Sequence, residues 1–140
     1  MKRTATAVWN GSGKEGKGQL TTQSTTLSKT QYSYKTRFED GVGTNPEELI
    51  GAAHAGCYAM ALAFALQNAG FTADSLEVTA TINFETATPP PTITQSALVV
   101  KAKIPGITDE KFQELAKGAK EGCPVSRVLK AEISLDAKLV

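Results

Sequence analysis

The sequence predicts an α+β fold: mainly antiparallel sheets packed around one long, buried central helix, in the order βββα–ββααβ. Three observations predict it. Short runs with strand-like alternation recur at both ends of the chain. Between them, Leu49 to Leu66 is eighteen residues without a formal charge, preceded by a helix-start signature. A second block, Asp109 to Glu121, has a helix start before it and a glycine stop after it. At 140 residues the chain is read as a single domain, residues 1–140.

Taken in order, Thr4 to Trp9 alternates and Asn10-Gly11-Ser12-Gly13 turns the chain. Gly18 to Thr26 is Thr-rich and extended. Gln31 to Phe38 alternates, with Tyr32, Tyr34, Thr36 and Phe38 on one face and Arg37 on the other, which predicts a third strand. After a Gly-rich loop, Asn45 is the N-cap of the long helix, Pro46 suits its first position, and Glu47 and Glu48 complement the positive end of its dipole. Gly70 is its stop. Ser75 to Thr86 and Thr92 to Ile104 form two strands separated by Pro89-Pro90-Pro91. Thr108 caps the next helix and Gly122 ends it. Cys123-Pro124 begins a short helical piece, Val125 to Leu129, before the last strand, Ala131 to Leu139.

Fifteen Lys+Arg against fourteen Asp+Glu leave a net charge of +1, a balance that argues against nucleic-acid binding and against an acidic disordered tail. One His and two Cys do not close a zinc site without carboxylates, and no metal-type spacing exists, so neither metal nor other cofactor is expected. The uncharged helix is Ala- and Gly-rich with His54 midway, which reads as a core helix and not a membrane span. Ala5 to Gln19 alternates and carries charges instead of forming the apolar stretch of a secretory signal. The expectation is a cytoplasmic protein with reduced thiols.

Those thiols, Cys57 and Cys123, lie 66 residues apart. Cys57 sits mid-helix among small neighbours, and Cys123 sits at a helix start, where free N–H groups favour a thiolate. By itself each also reads as ordinary packing. Three chemistries fit the composition. A Cys57/His54 hydrolase would place base and nucleophile on one helix face, although nothing in the sequence orients the His. Thioredoxin-like exchange wants C-x-x-C, which is lacking. A thiol peroxidase needs a nucleophilic thiolate, a cation and a resolving thiol, all of which are available.

The run from Thr36-Arg37-Phe38-Glu39 through Gly43-Thr44-Asn45-Pro46-Glu47-Glu48-Leu49-Ile50-Gly51-Ala52-Ala53-His54-Ala55-Gly56-Cys57 resembles the osmotically inducible protein C (OsmC) branch of the OsmC/Ohr family. So does Gly122-Cys123-Pro124-Val125-Ser126, continuing through Val128-Leu129-Lys130-Ala131. The resemblance covers essentially the whole chain. It implies an OsmC-like fold, an intertwined homodimer, and a cysteine peroxidase that reduces organic hydroperoxides to alcohols. By it, Cys57 is the peroxidatic thiolate, Cys123 the resolving thiol, Arg37 the cation that stabilises thiolate and peroxide, and Glu47 the carboxylate that orients Arg37. An external dithiol, a lipoylated protein by the same resemblance, reopens the Cys57–Cys123 disulfide. A redox sensor or small-molecule binding protein using that disulfide as a switch is the alternative.

Helix geometry adds a condition. Glu47 and Cys57 are ten residues apart, about 15 Å along a straight helix. Either the helix breaks near Gly51, or Arg37 and Glu47 serve the cysteine of a second copy. A helix apolar on most sides also wants a cover.

Overall fold

The computed structural model describes residues 1–140, which form two compact units, Met1–Leu49 and Ile50–Val140. The first carries a three-stranded antiparallel sheet, β1 (Ala5–Asn10), β2 (Lys17–Thr22) and β3 (Thr30–Tyr32), in that spatial order. Trp9 and Tyr32 approach across it with ring centroids 5.4 Å apart. None of the wholly buried apolar side chains belongs to this unit. Val8 and Trp9 on β1 stand 50% and 36% exposed.

The third strand ends earlier than the alternation predicts. Tyr34–Phe38 is a short helix, α1, so Arg37 is helical and not a strand residue. The cause is a reciprocal cap. The Ser33 hydroxyl accepts from the Thr36 N–H, and the Thr36 hydroxyl accepts from the Ser33 N–H at 2.9 Å, which satisfies two donors that a strand would have paired. Gly43 then turns the chain at φ +123°, and the Thr44 N–H pairs with the Gln31 carbonyl.

The long helix α2 runs unbroken from Pro46 to Asn68. Its N-cap is the expected Asn45, which accepts the Glu48 N–H at 2.8 Å and donates from Nδ2 to the Thr36 carbonyl at 3.0 Å. Its end is a Schellman cap: Gly70 at φ +86° donates to the Gln67 carbonyl and Phe71 donates to that of Leu66.

In the second unit, β4 (Ser75–Glu85), β5 (Thr92–Lys103) and β6 (Glu132–Leu139) form a sheet in that order. The β4–β5 pair is antiparallel. β6 runs parallel to β5 after the crossover through α3 (Asp109–Gly122) and α4 (Pro124–Val128), so three of the four strand pairings are antiparallel. Inward residues Ser96, Leu98, Val100 and Ala102 of β5 meet the α2 row Tyr58, Leu62 and Leu66 and the α3 row Phe112, Ala116 and Ala119. The α3 row continues to Cys123, aiming that thiol into the same core.

α2 was expected to be buried on most sides, but in the single chain it is buried on one. Gly51, His54, Tyr58, Leu62 and Leu66 face inward, while Met60 and Phe64 stand 60% and 57% exposed. Every turn of this helix is apolar, so sequence periodicity carries no information about which face meets the sheet. By length and composition α2 is also apolar enough to cross a membrane, and its inward row instead closes a core with β5 and α3.

Candidate active site

The four residues singled out from the sequence fall into two pairs. In the first unit, Arg37 donates from Nε and Nη2 to the same Glu47 oxygen, at 2.9 and 2.7 Å. α1 supplies the cation and the first turn of α2 the anion, and Asn45, bonded to both segments, fixes their separation. Glu47 is the more enclosed partner, 12% exposed against 38% for Arg37. Beside them the Thr44 hydroxyl donates to Glu48.

In the second unit, Cys57 on α2 and Cys123 at the head of α4 are brought close enough for each to shift the other's ionisation, both as free thiols. Cys57 is partly exposed and Cys123 wholly buried. Their electrostatics differ. Burial pushes the Cys57 thiol up, and the thiol and the charge of the neighbouring Cys123 push the same way against one backbone N–H, that of Val125. No positive charge is among the groups acting on it. Burial also disfavours the Cys123 thiolate, but the Ser126 N–H, the Cys57 thiol, the Ser126 hydroxyl and the Val125 N–H together outweigh it and draw its pKa down.

The sequence offered nothing to orient His54, yet the structure holds it at both ring nitrogens. Nδ1 lies 2.7 Å from Ser96 Oγ and Nε2 lies 2.7 Å from Ser126 Oγ. The ring is wholly buried, and burial lowers its pKa, so it is neutral at physiological pH. With both nitrogens engaged by serines, it is not directed at Cys57 as a hydrolase base would be. Ser96 and Ser126 are the residues sequence reasoning missed. The available signal was a His in a row of small residues, since a buried imidazole requires partners. Tyr58, next to Cys57 on α2, is core: it is wholly buried and its hydroxyl donates to the Ala116 carbonyl at 3.1 Å.

Residues 38–138 match the model of a family described as OsmC-like protein. The chain is 48% identical over 133 residues to peroxiredoxin OsmC of Escherichia coli strain K12, covering 95% of this chain and 93% of that protein. Among solved structures it is similar to the organic hydroperoxide resistance protein OhrB of Bacillus subtilis, with a TM-score of 0.71, 25% identity and 98% of each chain covered. It also shares its fold with an OsmC-like protein of unknown function from Vibrio cholerae, with a TM-score of 0.78 at 14% identity and 99% of each chain covered.

Proposed function

The chain belongs to the OsmC-like family, and on that premise we propose that it is a thiol-dependent peroxidase that reduces organic hydroperoxides to alcohols. The observation that carries the reading is the meeting of two thiols 66 residues apart, one reachable from solvent and one enclosed. Cys57, the reachable one, attacks a peroxide oxygen as the thiolate, and the alcohol leaves. The resulting sulfenic acid condenses with Cys123 to a disulfide, which protects Cys57 from further oxidation. An external dithiol, borne on a lipoylated protein, reopens the disulfide by exchange. The setting is cytoplasmic.

Cys57 needs a positive charge that its own surroundings do not supply, since burial and Cys123 both hold its pKa up. We assign that charge to Arg37 of a second copy, oriented by Glu47. Continuity of α2 through Gly51 supports the assignment, because ten helical residues separate Glu47 from Cys57, about 15 Å along the axis. The exposed Met60 and Phe64 and the lack of buried apolar side chains in residues 1–49 support a homodimer that finishes both surfaces.

The test is catalytic turnover of cumene hydroperoxide with a dithiol reductant. Repeated turnover that Cys57→Ser abolishes supports the reading. Consumption of one equivalent followed by arrest, with dithiol in excess, identifies a sensor instead. Ester cleavage indifferent to loss of Cys123 identifies a hydrolase.

A further inference from the structure

His54 is the only histidine in the chain, and it is wholly buried with both nitrogens hydrogen-bonded to serines. Ser96 occupies a place in the inward row of β5 whose next three members are Leu98, Val100 and Ala102. Well-packed apolar residues fill such a place at no electrostatic cost, so a polar line through a core needs a reason beyond stability. The line has a definite end. Ser126 stands three residues after Cys123, in the first turn of the helix that Cys123 opens, and both its N–H and its hydroxyl favour the Cys123 thiolate. A line of polar groups therefore runs from Cys123 past Ser126, whose Oγ is 2.7 Å from His54 Nε2, and from Nδ1 to Ser96 Oγ at 2.7 Å.

We propose that Ser126 and His54 form a proton relay for Cys123, receiving its thiol proton as the disulfide closes and returning it when the disulfide opens. The relay rests on the two-thiol reading above and assigns the buried thiol the partner it needs. Cys123 has no exposed surface, so water cannot take its proton directly. The same heavy atoms serve two proton placements. With Cys123 a thiol, its S–H donates to Ser126 and the Ser126 O–H donates to a neutral His54. With Cys123 a thiolate, the Ser126 O–H donates to sulfur and the imidazolium N–H donates to Ser126.

In the closing step a lone pair of Cys123 sulfur forms the S–S bond to Cys57, and the Cys57 S–O bond breaks with its electron pair leaving on oxygen. The Cys123 proton moves to Ser126 as the Ser126 proton moves to His54. The departing hydroxide is protonated by solvent at the partly exposed Cys57. His54 then releases its proton back through Ser126, the half-buried member of the relay, so the net product is one water. In reductive opening a thiolate of the external dithiol attacks the Cys57 sulfur, and the Cys57–Cys123 bond breaks with its electron pair leaving on Cys123. A proton taken up from solvent is delivered to Cys123 through the relay. The second thiol of the dithiol then attacks the mixed disulfide, freeing Cys57 and leaving the reductant as its own disulfide. Ser126 touches a reacting atom and is a catalytic residue; His54 acts through it and is a positioning residue.

The experiment separates the two steps. The full-length reduced protein is mixed with one equivalent of cumene hydroperoxide, and both peroxide loss and the decay of dimedone-trappable sulfenic acid are timed. Ser126→Ala and His54→Gln should slow the second phase by about ten- to a hundredfold and leave the first within about twofold, because general acid–base groups act only where the proton moves. Ser126→Thr, which keeps the hydroxyl, should restore the parental rate, and a solvent deuterium effect on the second phase should shrink in Ser126→Ala. An unchanged second phase in Ser126→Ala overturns the relay, as does slowing of both phases that Ser126→Thr fails to repair. If the parental protein shows no first phase, the peroxidase reading falls and diamide replaces peroxide. Slower diamide-driven closure in Ser126→Ala then still supports the relay, and equal rates overturn it.

Discussion

Arg37 places two N–H donors, Nε and Nη2, on one oxygen of Glu47, the more enclosed carboxylate of the pair. Such a clamp fixes the plane of the guanidinium and therefore where its other face is presented. Glu47→Gln keeps the shape and halves the attraction. The expected result is a loss of about tenfold to a hundredfold in kcat/KM for an organic hydroperoxide, as when a preorganised charge loses its aim. Thermal stability should fall by no more than about 1 kcal/mol, since Arg37 is partly solvated. Parental kcat/KM in this variant would remove Glu47 from the mechanism.

Sharing of the site between copies is tested by complementation. Arg37→Ala and Cys57→Ala are each expected to be inactive as homodimers. Co-expressed, half of the dimers are mixed and one of their two sites is whole, so about a quarter of the parental activity should return. Activity that stays at zero in verified mixed dimers would place cation and thiol in the same chain.

The exposed apolar side of α2 should lie in the dimer contact. Phe64→Glu puts a charge where 57% of a large ring is uncovered in the single chain. Light scattering is expected to show a shift to monomer, with loss of peroxide turnover but retained circular dichroism. A variant that stays dimeric and active would move the contact elsewhere.

Two glycines in helices should respond oppositely. A Cβ at Gly51 would stand 3.2 Å from the Ala80 carbonyl oxygen, so Gly51→Val should destabilise by about 1–3 kcal/mol through overpacking on β4. Gly118, exposed on α3, has nothing within 4 Å, and Gly118→Ala should stabilise by up to about 1 kcal/mol. Denaturant midpoints of the two variants give both signs.

Acid stability should carry the mark of His54. Burial lowers its folded-state pKa from the ordinary value of 6.5, so below that pH the unfolded chain binds a proton that the folded chain does not. Stability is therefore complete above about pH 6.5 and falls as the pH drops toward the folded value, by at most about 1.4 kcal/mol per pH unit. Replacing His54 by Gln should flatten this slope in unfolding free energies measured between about pH 5 and 7. Equal slopes would mean that the buried ring gains its proton without cost.

The sheet of the second unit and the ends of the long helix were legible because their causes are local. β4 shows strict alternation of half-buried and exposed residues, and Asn45, Pro46 and Gly70 punctuate α2 as their chemistry requires. The segment 34–38 was misread because Tyr34, Thr36 and Phe38 also fit a period of two. The cap between Ser33 and Thr36 decides for helix, and alternation does not register it.

The sequence by itself determined the order of elements, the two thiols, and through its motifs the family and the pairing of Arg37 with Glu47 as candidates. Tertiary structure alone decided that Cys57 is the open thiol and Cys123 the enclosed one, and that a serine stands on each side of His54. The reason is distance along the chain. Ser96 and Ser126 lie 42 and 72 residues from His54, so no local pattern announces them, and only the packing of α2 against β5 and the head of α4 makes them neighbours.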